Sequence, residues 1–109
     1  MSRNDRERLQ DILVACAAIQ RYLARADADD DLVFDAMRIR LVEIGEAVKD
    51  LDEDRLATEP SVPWSDIARM RDFLTHRYFD TAHSVVFATA RNDLPVLIAA
   101  VERLLSHSE

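Results

Sequence analysis

The chain has 109 residues, 21 acidic against 14 basic side chains for a net charge of −7, and only one glycine, three prolines and one cysteine. That length supports one hydrophobic core rather than two, and so few turn formers oppose a sheet protein. An all-α, single-domain bundle over residues 1–109 is the expectation. The acidic balance excludes a protein that coats nucleic acid by bulk phosphate neutralisation, though not one that cuts RNA in a locally basic cleft.

Cys16 stands alone, which rules out an internal disulfide or a multi-cysteine zinc site, and its place on an apolar helix face reads as a small buried hydrophobe. The charged start Met-Ser-Arg-Asn-Asp-Arg-Glu-Arg lacks the apolar stretch of a signal peptide. No window approaches the roughly 18 consecutive apolar residues of a membrane span. The expectation is a cytoplasmic protein with no membrane partner. Lys49 is the only lysine beside 13 arginines. Arginine suits bidentate phosphate contacts, but a compositional bias of the genome produces the same excess.

A first helix is expected over about residues 5–26, with Asn4 as N-cap and Leu9, Ile12, Leu13, Cys16, Ile19 and Leu23 as its apolar stripe. The aspartate-rich stretch 26–31 breaks that periodicity and suits the N-terminus of the next helix. A second helix, about residues 32–51, carries Phe34, Met37, Leu41, Ile44, Val48 and Leu51 at alternating spacings of three and four. Such a heptad seam packs along another long helix, within the chain or across a dimer. Residues 51–63, with Pro60 and Pro63, read as a connection holding one short helical turn. A third helix starts near Trp64 or Ser65, with Ser65 as cap, and ends around residues 79–80; Ile67, Met70, Phe73 and Leu74 form its core face. A fourth segment spans about residues 81–91. Asp93 is then expected to cap a last helix, with Pro95 in its first turn and Leu94, Leu97, Ile98, Val101, Leu104 and Leu105 facing inward.

Charge, aromatics and a histidine crowd the third helix: Arg69, Arg71, Asp72, His76, Arg77 and Tyr78 lie within ten residues. Asp72 and His76 are i, i+4 neighbours, so the carboxylate can fix the imidazole's tautomer and raise its pKa. Arg71 and His76, five apart, point about 140° away from each other around a straight helix. They converge only if the helix ends or distorts near His76, or if two copies meet across a dimer two-fold. Metal-free RNA cleavage needs an acid–base group, for which histidine is suited near neutral pH, and a phosphate clamp, for which arginine is suited. Tyr78 can hydrogen-bond phosphate or stack on a base. By residue type alone, however, a lone histidine among charges is most commonly structural or at the surface.

Gly45, mid-helix at a cost of roughly 1 kcal/mol relative to alanine, points to close helix–helix approach. Glu46 beside it is either a solvated residue or a cleft partner for Arg71. Trp64 reads as a core anchor rather than a base-stacking platform. Arg38 and Arg40 would extend a phosphate track, although solvent exposure is the ordinary state of such residues. His83 and His107 have no companions at metal-ligand spacing, so neither a metal nor another cofactor is expected.

The string Arg71-Asp72-x-x-x-His76-x-Tyr78 resembles the R-polar-x3-H-x-Y signature of HEPN-domain proteins, specifically the HepT-type toxins. Ile44-Gly45-Glu46-Ala47, Pro63-Trp64-x-x-Ile67 and Asp93-Leu94-Pro95-x-Leu97 resemble further stretches of that family, in the same order and across nearly the whole chain. The resemblance implies a four- to five-helix up-and-down HEPN bundle that forms a homodimer and acts as a metal-independent endoribonuclease on an RNA substrate. Arg71 and His76 would be catalytic, with Asp72 as the supporting polar residue where many members carry asparagine; apart from the resemblance, Glu46 and Arg77 are candidates for the cleft or for RNA binding. The resemblance also implies a cognate minimal nucleotidyltransferase antitoxin that AMPylates Tyr78. The alternative is a catalytically silent HEPN module that binds a nucleotidyltransferase or a nucleotide. A helical adaptor assembling through the heptad seam is a third possibility.

Overall fold

A computed structural model describes residues 3–25, 30–76 and 83–107, all helical or in short connections. In chain order the helices are α1 (Arg3–Leu23), α2 (Asp31–Lys49), α3 (Glu53–Leu56), α4 (Trp64–His76), α5 (His83–Asn92) and α6 (Leu94–Ser106). The result is an all-α bundle of five helices of 10 to 21 residues and one single-turn helix among the described residues.

The heptad seam explains the architecture. Phe34, Met37, Leu41, Ile44, Val48 and Leu51 are all buried, and α2 lies between α1 and α4. Cross-contacts give the directions. Arg8 faces Asp50 while Tyr22 faces Arg40, and Gly45 faces Arg71 while Arg38 faces Leu74. As numbers rise along α2 they fall along both neighbours, so α2 is antiparallel to α1 and to α4. Leu9, Ile12, Cys16 and Ile19 of α1 and Leu94, Leu97, Val101 and Leu104 of α6 complete the core. Burial pushes the Cys16 thiol up to about 12.

Helix termini account for most departures from expectation. Asp30 caps α2 as its stretch suggested, accepting from the Leu32 N–H at 2.8 Å, and Asp52 caps α3, accepting from the Asp54 N–H at 3.1 Å. Asn4 does not cap α1, because the helix already includes it. Ser65 is likewise the second residue of α4 rather than its cap; the Pro63 carbonyl accepts the Ile67 N–H at 3.1 Å instead. Asp93 occupies the cap position of α6, but its side chain makes no capping bond. Its backbone is in the αR region rather than extended, and Pro95 at the second helical position has no N–H to offer. Phe73, expected in the core, is 43% exposed. Ile67, Met70 and Leu74 follow the i, i+3, i+7 stripe, and Phe73 sits about 100° off Leu74.

Trp64 anchors the 57–63 connection as expected. It packs half-buried against the core, and its indole N–H donates to the Glu59 carbonyl at 3.0 Å. The Glu59 carboxylate in turn accepts two bonds from Arg103 of α6, at 2.7 and 3.0 Å. No helix among the described residues is long and apolar enough to cross a membrane.

Candidate active site

α2 and α4 approach closely at the chain's only glycine. A Cβ at Gly45 would lie 2.6 Å from the Arg71 Cβ, 3.0 Å from the Ile67 carbonyl oxygen and 3.2 Å from the Arg71 backbone nitrogen. The sequence expectation of close helix packing is met, and the residue packed against is Arg71. The missing side chain lets α4 press its arginine onto α2.

At that point Glu46 reaches across. Its Oε1 accepts from Arg71 Nε at 2.5 Å, and Asp72 Oδ1 accepts from Arg71 Nη1 at 2.8 Å. Of the two readings left open for Glu46, pairing with Arg71 is what the structure holds. The pairing with Asp72 was not foreseen, because adjacent helical residues do not face each other; the long guanidinium stem bends back to meet its neighbour. The carboxylates of Asp72 and then Glu46 raise the Arg71 pKa further above its already high value. Arg71 is half-buried while Glu46 and Asp72 are exposed, so the cluster stays open to solvent on one side.

The rest of α4 is continuous. The Thr75 hydroxyl donates to the Arg71 carbonyl at 2.7 Å, and the helix runs unbroken to His76. Residues 71–76 are all helical, and a regular helix sets Arg71 and His76 about 140° apart. The structure describes the His76 backbone; its imidazole, together with Arg77 and Tyr78, lies outside the described residues.

The two arginines considered for a phosphate track are both turned inward to protein partners. Arg38 Nη1 donates to the Leu74 carbonyl at 3.0 Å, and its Nε is shielded from solvent. Arg40 faces the other side of α2, donating from Nε to the Tyr22 hydroxyl at 3.4 Å and from Nη1 to Glu43 at 3.0 Å. Neither forms the exposed track that their sequence positions allowed. Long stems that pack against apolar neighbours while the head finds a polar partner leave no trace in hydrophobic periodicity.

A family model described as Ribonuclease HepT-like matches residues 12–104. The chain belongs to the HepT-like ribonuclease family. A probable ribonuclease HepT from Thermococcus cleftensis is 34% identical over 108 residues, covering 95% of this chain and 98% of the relative. A putative RNase from Caldanaerobacter subterraneus subsp. tengcongensis is 33% identical over 101 residues, covering 89% and 90%. A putative RNase from Methanocaldococcus jannaschii is 39% identical over 66 residues, or 61% of this chain and 54% of that one. No solved structure matches.

The matched region of the HepT-like family spans α2 and α4 in full, and therefore the entire Gly45–Glu46–Arg71–Asp72 contact. No group of three or more His, Cys, Asp or Glu side chains among the described residues could hold a metal ion. His107 is the C-cap residue of α6, its N–H donating to the Arg103 carbonyl at 3.1 Å.

Proposed function

We propose that the protein is a metal-independent endoribonuclease toxin in which Arg71 and His76 are the reacting pair. His76 takes the proton of a 2′-hydroxyl as that oxygen forms its bond to phosphorus, and an imidazolium returns a proton to the leaving 5′-oxygen as the P–O5′ bond breaks. Arg71 neutralises the charge that builds on the non-bridging oxygens. Asp72 supports the pair from the intervening position, and Glu46 holds the guanidinium at the α2–α4 seam until phosphate displaces it. Arg77 adds a contact to the RNA backbone.

The observation that carries this reading is the placement of Arg71. It packs against a glycine too close to admit a Cβ and pairs with a carboxylate from another helix, while its guanidinium remains open to solvent. Because a regular helix sets Arg71 and His76 about 140° apart, the cleft we propose is shared by a homodimer, each copy completing the other's pair. Leu32 and Ile39 support such a face. They are 79% and 53% exposed and fall at seven-residue spacing on the same stripe of α2 as Glu46. The antitoxin we propose is a minimal nucleotidyltransferase that transfers AMP to Tyr78, placing an anionic bulk where RNA phosphate must enter, and the setting is the cytoplasm.

The test is cleavage of RNA in EDTA with a 2′,3′-cyclic phosphate at the new end. Activity that persists in His76→Ala, with an unchanged circular dichroism spectrum, defeats the assignment. Co-expression with a minimal nucleotidyltransferase encoded beside it should add one adenylyl group to Tyr78 by mass spectrometry, if such a gene is present. The two carboxylates on Arg71 favour a second reading, a silent bundle that binds the nucleotidyltransferase alone; that reading requires complex formation with no RNA cleavage by the free protein.

A further inference from the structure

Beyond the reacting pair, we infer that Arg38 is a positioning residue that holds the 73–76 turn of α4, and with it the His76 backbone, in register against α2. Arg38 lies on α2 seven residues before Gly45, on the face that meets α4. Its Nη1 donates across the seam to the Leu74 carbonyl at 3.0 Å, in a half-buried setting. Leu74 is three residues after Arg71 and two before His76. α2 therefore touches α4 at two levels: the Gly45–Glu46 level sets Arg71, and the Arg38 level sets the turn that ends in His76.

The chemistry suits this role. A guanidinium donating to a carbonyl makes a charge-assisted bond, stronger and more directional than a neutral one. The Leu74 side chain is buried on the core side of the same turn, so carbonyl and side chain are held from two directions. The catalytic consequence rests on the reading of Arg71 and His76 as the reacting pair; the structural role does not.

The experiment compares the full-length wild type with Arg38→Met, which keeps an apolar stem and loses the donor, and Arg38→Lys, which restores a charged donor. Amide hydrogen exchange by NMR should speed up about tenfold at Thr75 and His76 in Arg38→Met while α6 amides keep their rates. In RNA cleavage, kcat should fall about tenfold or more with KM nearly unchanged, and Arg38→Lys should recover most of both losses. Unchanged exchange at Thr75 and His76 overturns the inference, as does a uniform acceleration through every helix, which would mark Arg38 as a general stabiliser. A loss confined to KM, with a shallower salt dependence of RNA binding, also overturns it by making Arg38 a phosphate contact. If Arg38→Met does not fold, Arg38→Leu, which likewise has no donor, carries the same comparison. A wild type that cuts no RNA defeats the ribonuclease reading, and the exchange rates still decide the role of Arg38.

Discussion

Gly45→Ala adds a single methyl group, and opposing forces act on it. In an isolated helix the change stabilises by about 1 kcal/mol, because alanine loses less backbone entropy than glycine. Here the new Cβ would lie 2.6 Å from the Arg71 Cβ, against about 3.5–4.0 Å for carbon atoms at their optimal separation. Two further contacts, at 3.0 and 3.2 Å, are with backbone atoms of α4 that cannot rotate away. Relief therefore requires α4 to retreat by roughly 1 Å, and overpacking of this kind typically costs about 1–3 kcal/mol. The difference leaves a loss of up to about 2 kcal/mol, or a fall in Tm of several degrees, on the order of 5–10 °C. Function should suffer more than stability. The same retreat stretches the 2.5 Å Arg71–Glu46 bond towards the limit of a hydrogen bond, and a misplacement of about 1 Å at a reacting group can lower turnover about a hundredfold. The assay pairs thermal melting with single-turnover RNA cleavage, using Lys49→Ala on the exposed side of α2 as control. In an Arg71→Gly background the principal clash is gone, so the destabilisation should shrink, a coupling that a double-mutant cycle measures. A Gly45→Ala protein that melts higher and cleaves at the wild-type rate would refute the reasoning, because helix propensity would then have outweighed a contact that is not tight.

Asp72→Asn removes one of the two carboxylates bound to Arg71, so RNA should bind more tightly and kcat should be maintained; unchanged binding with a fall in kcat would show that the carboxylate assists catalysis rather than competing with phosphate. Mixing Arg71→Ala with His76→Ala should restore part of the wild-type activity if each cleft takes its arginine and histidine from different copies, and an inactive mixture with proven subunit exchange would put both in one protomer. The Arg103 guanidinium holds the Glu59 carboxyl below its ordinary value of 4.5. A lowered folded-state pKa stabilises above the ordinary value and is lost as pH falls through the folded one. Glu59→Gln should therefore lower Tm at pH 7, with the gap to wild type closing below about pH 4.5; a gap independent of pH would remove the ion pair from the explanation. Cys16, buried and with its thiol raised to about 12, should resist iodoacetamide in native protein at pH 8 and react only on unfolding, and rapid native alkylation would contradict its burial.

The helices were legible because burial enforces their spacing. Every residue of the Phe34–Leu51 seam is buried, and the short turn between Leu51 and Pro63 exists. Gly45 was legible for the same reason, since a glycine that weakens its own helix must be repaid in packing. Helix ends were read less well, as their caps depend on backbone angles that composition does not encode: Asp93 has the right side chain in the wrong conformation, ahead of a proline without a donor. The Arg71–Glu46 pair joins residues 25 apart. Sequence spacing within one helix could nominate Arg71, but only the register of α2 against α4 selects Glu46. That register also turned Arg38 inward, because a side chain that is apolar along its stem and charged at its tip satisfies a core position and a surface position equally well.

The paired carboxylates on Arg71 have a consequence for what the cleft will accept. A lone phosphate arriving there exchanges one negative partner for another, so the electrostatic gain is small and water screens what remains. Inorganic phosphate and mononucleotides are poor competitors under those terms. A polymer differs because its flanking phosphates and bases bind elsewhere on the surface and present the scissile group at high local concentration. With Arg71 as the proposed phosphate clamp, the occupied guanidinium would work as a filter on chain length. In a cell crowded with small phosphates, it would keep Arg71 engaged with its own carboxylates until a strand of RNA is already in place.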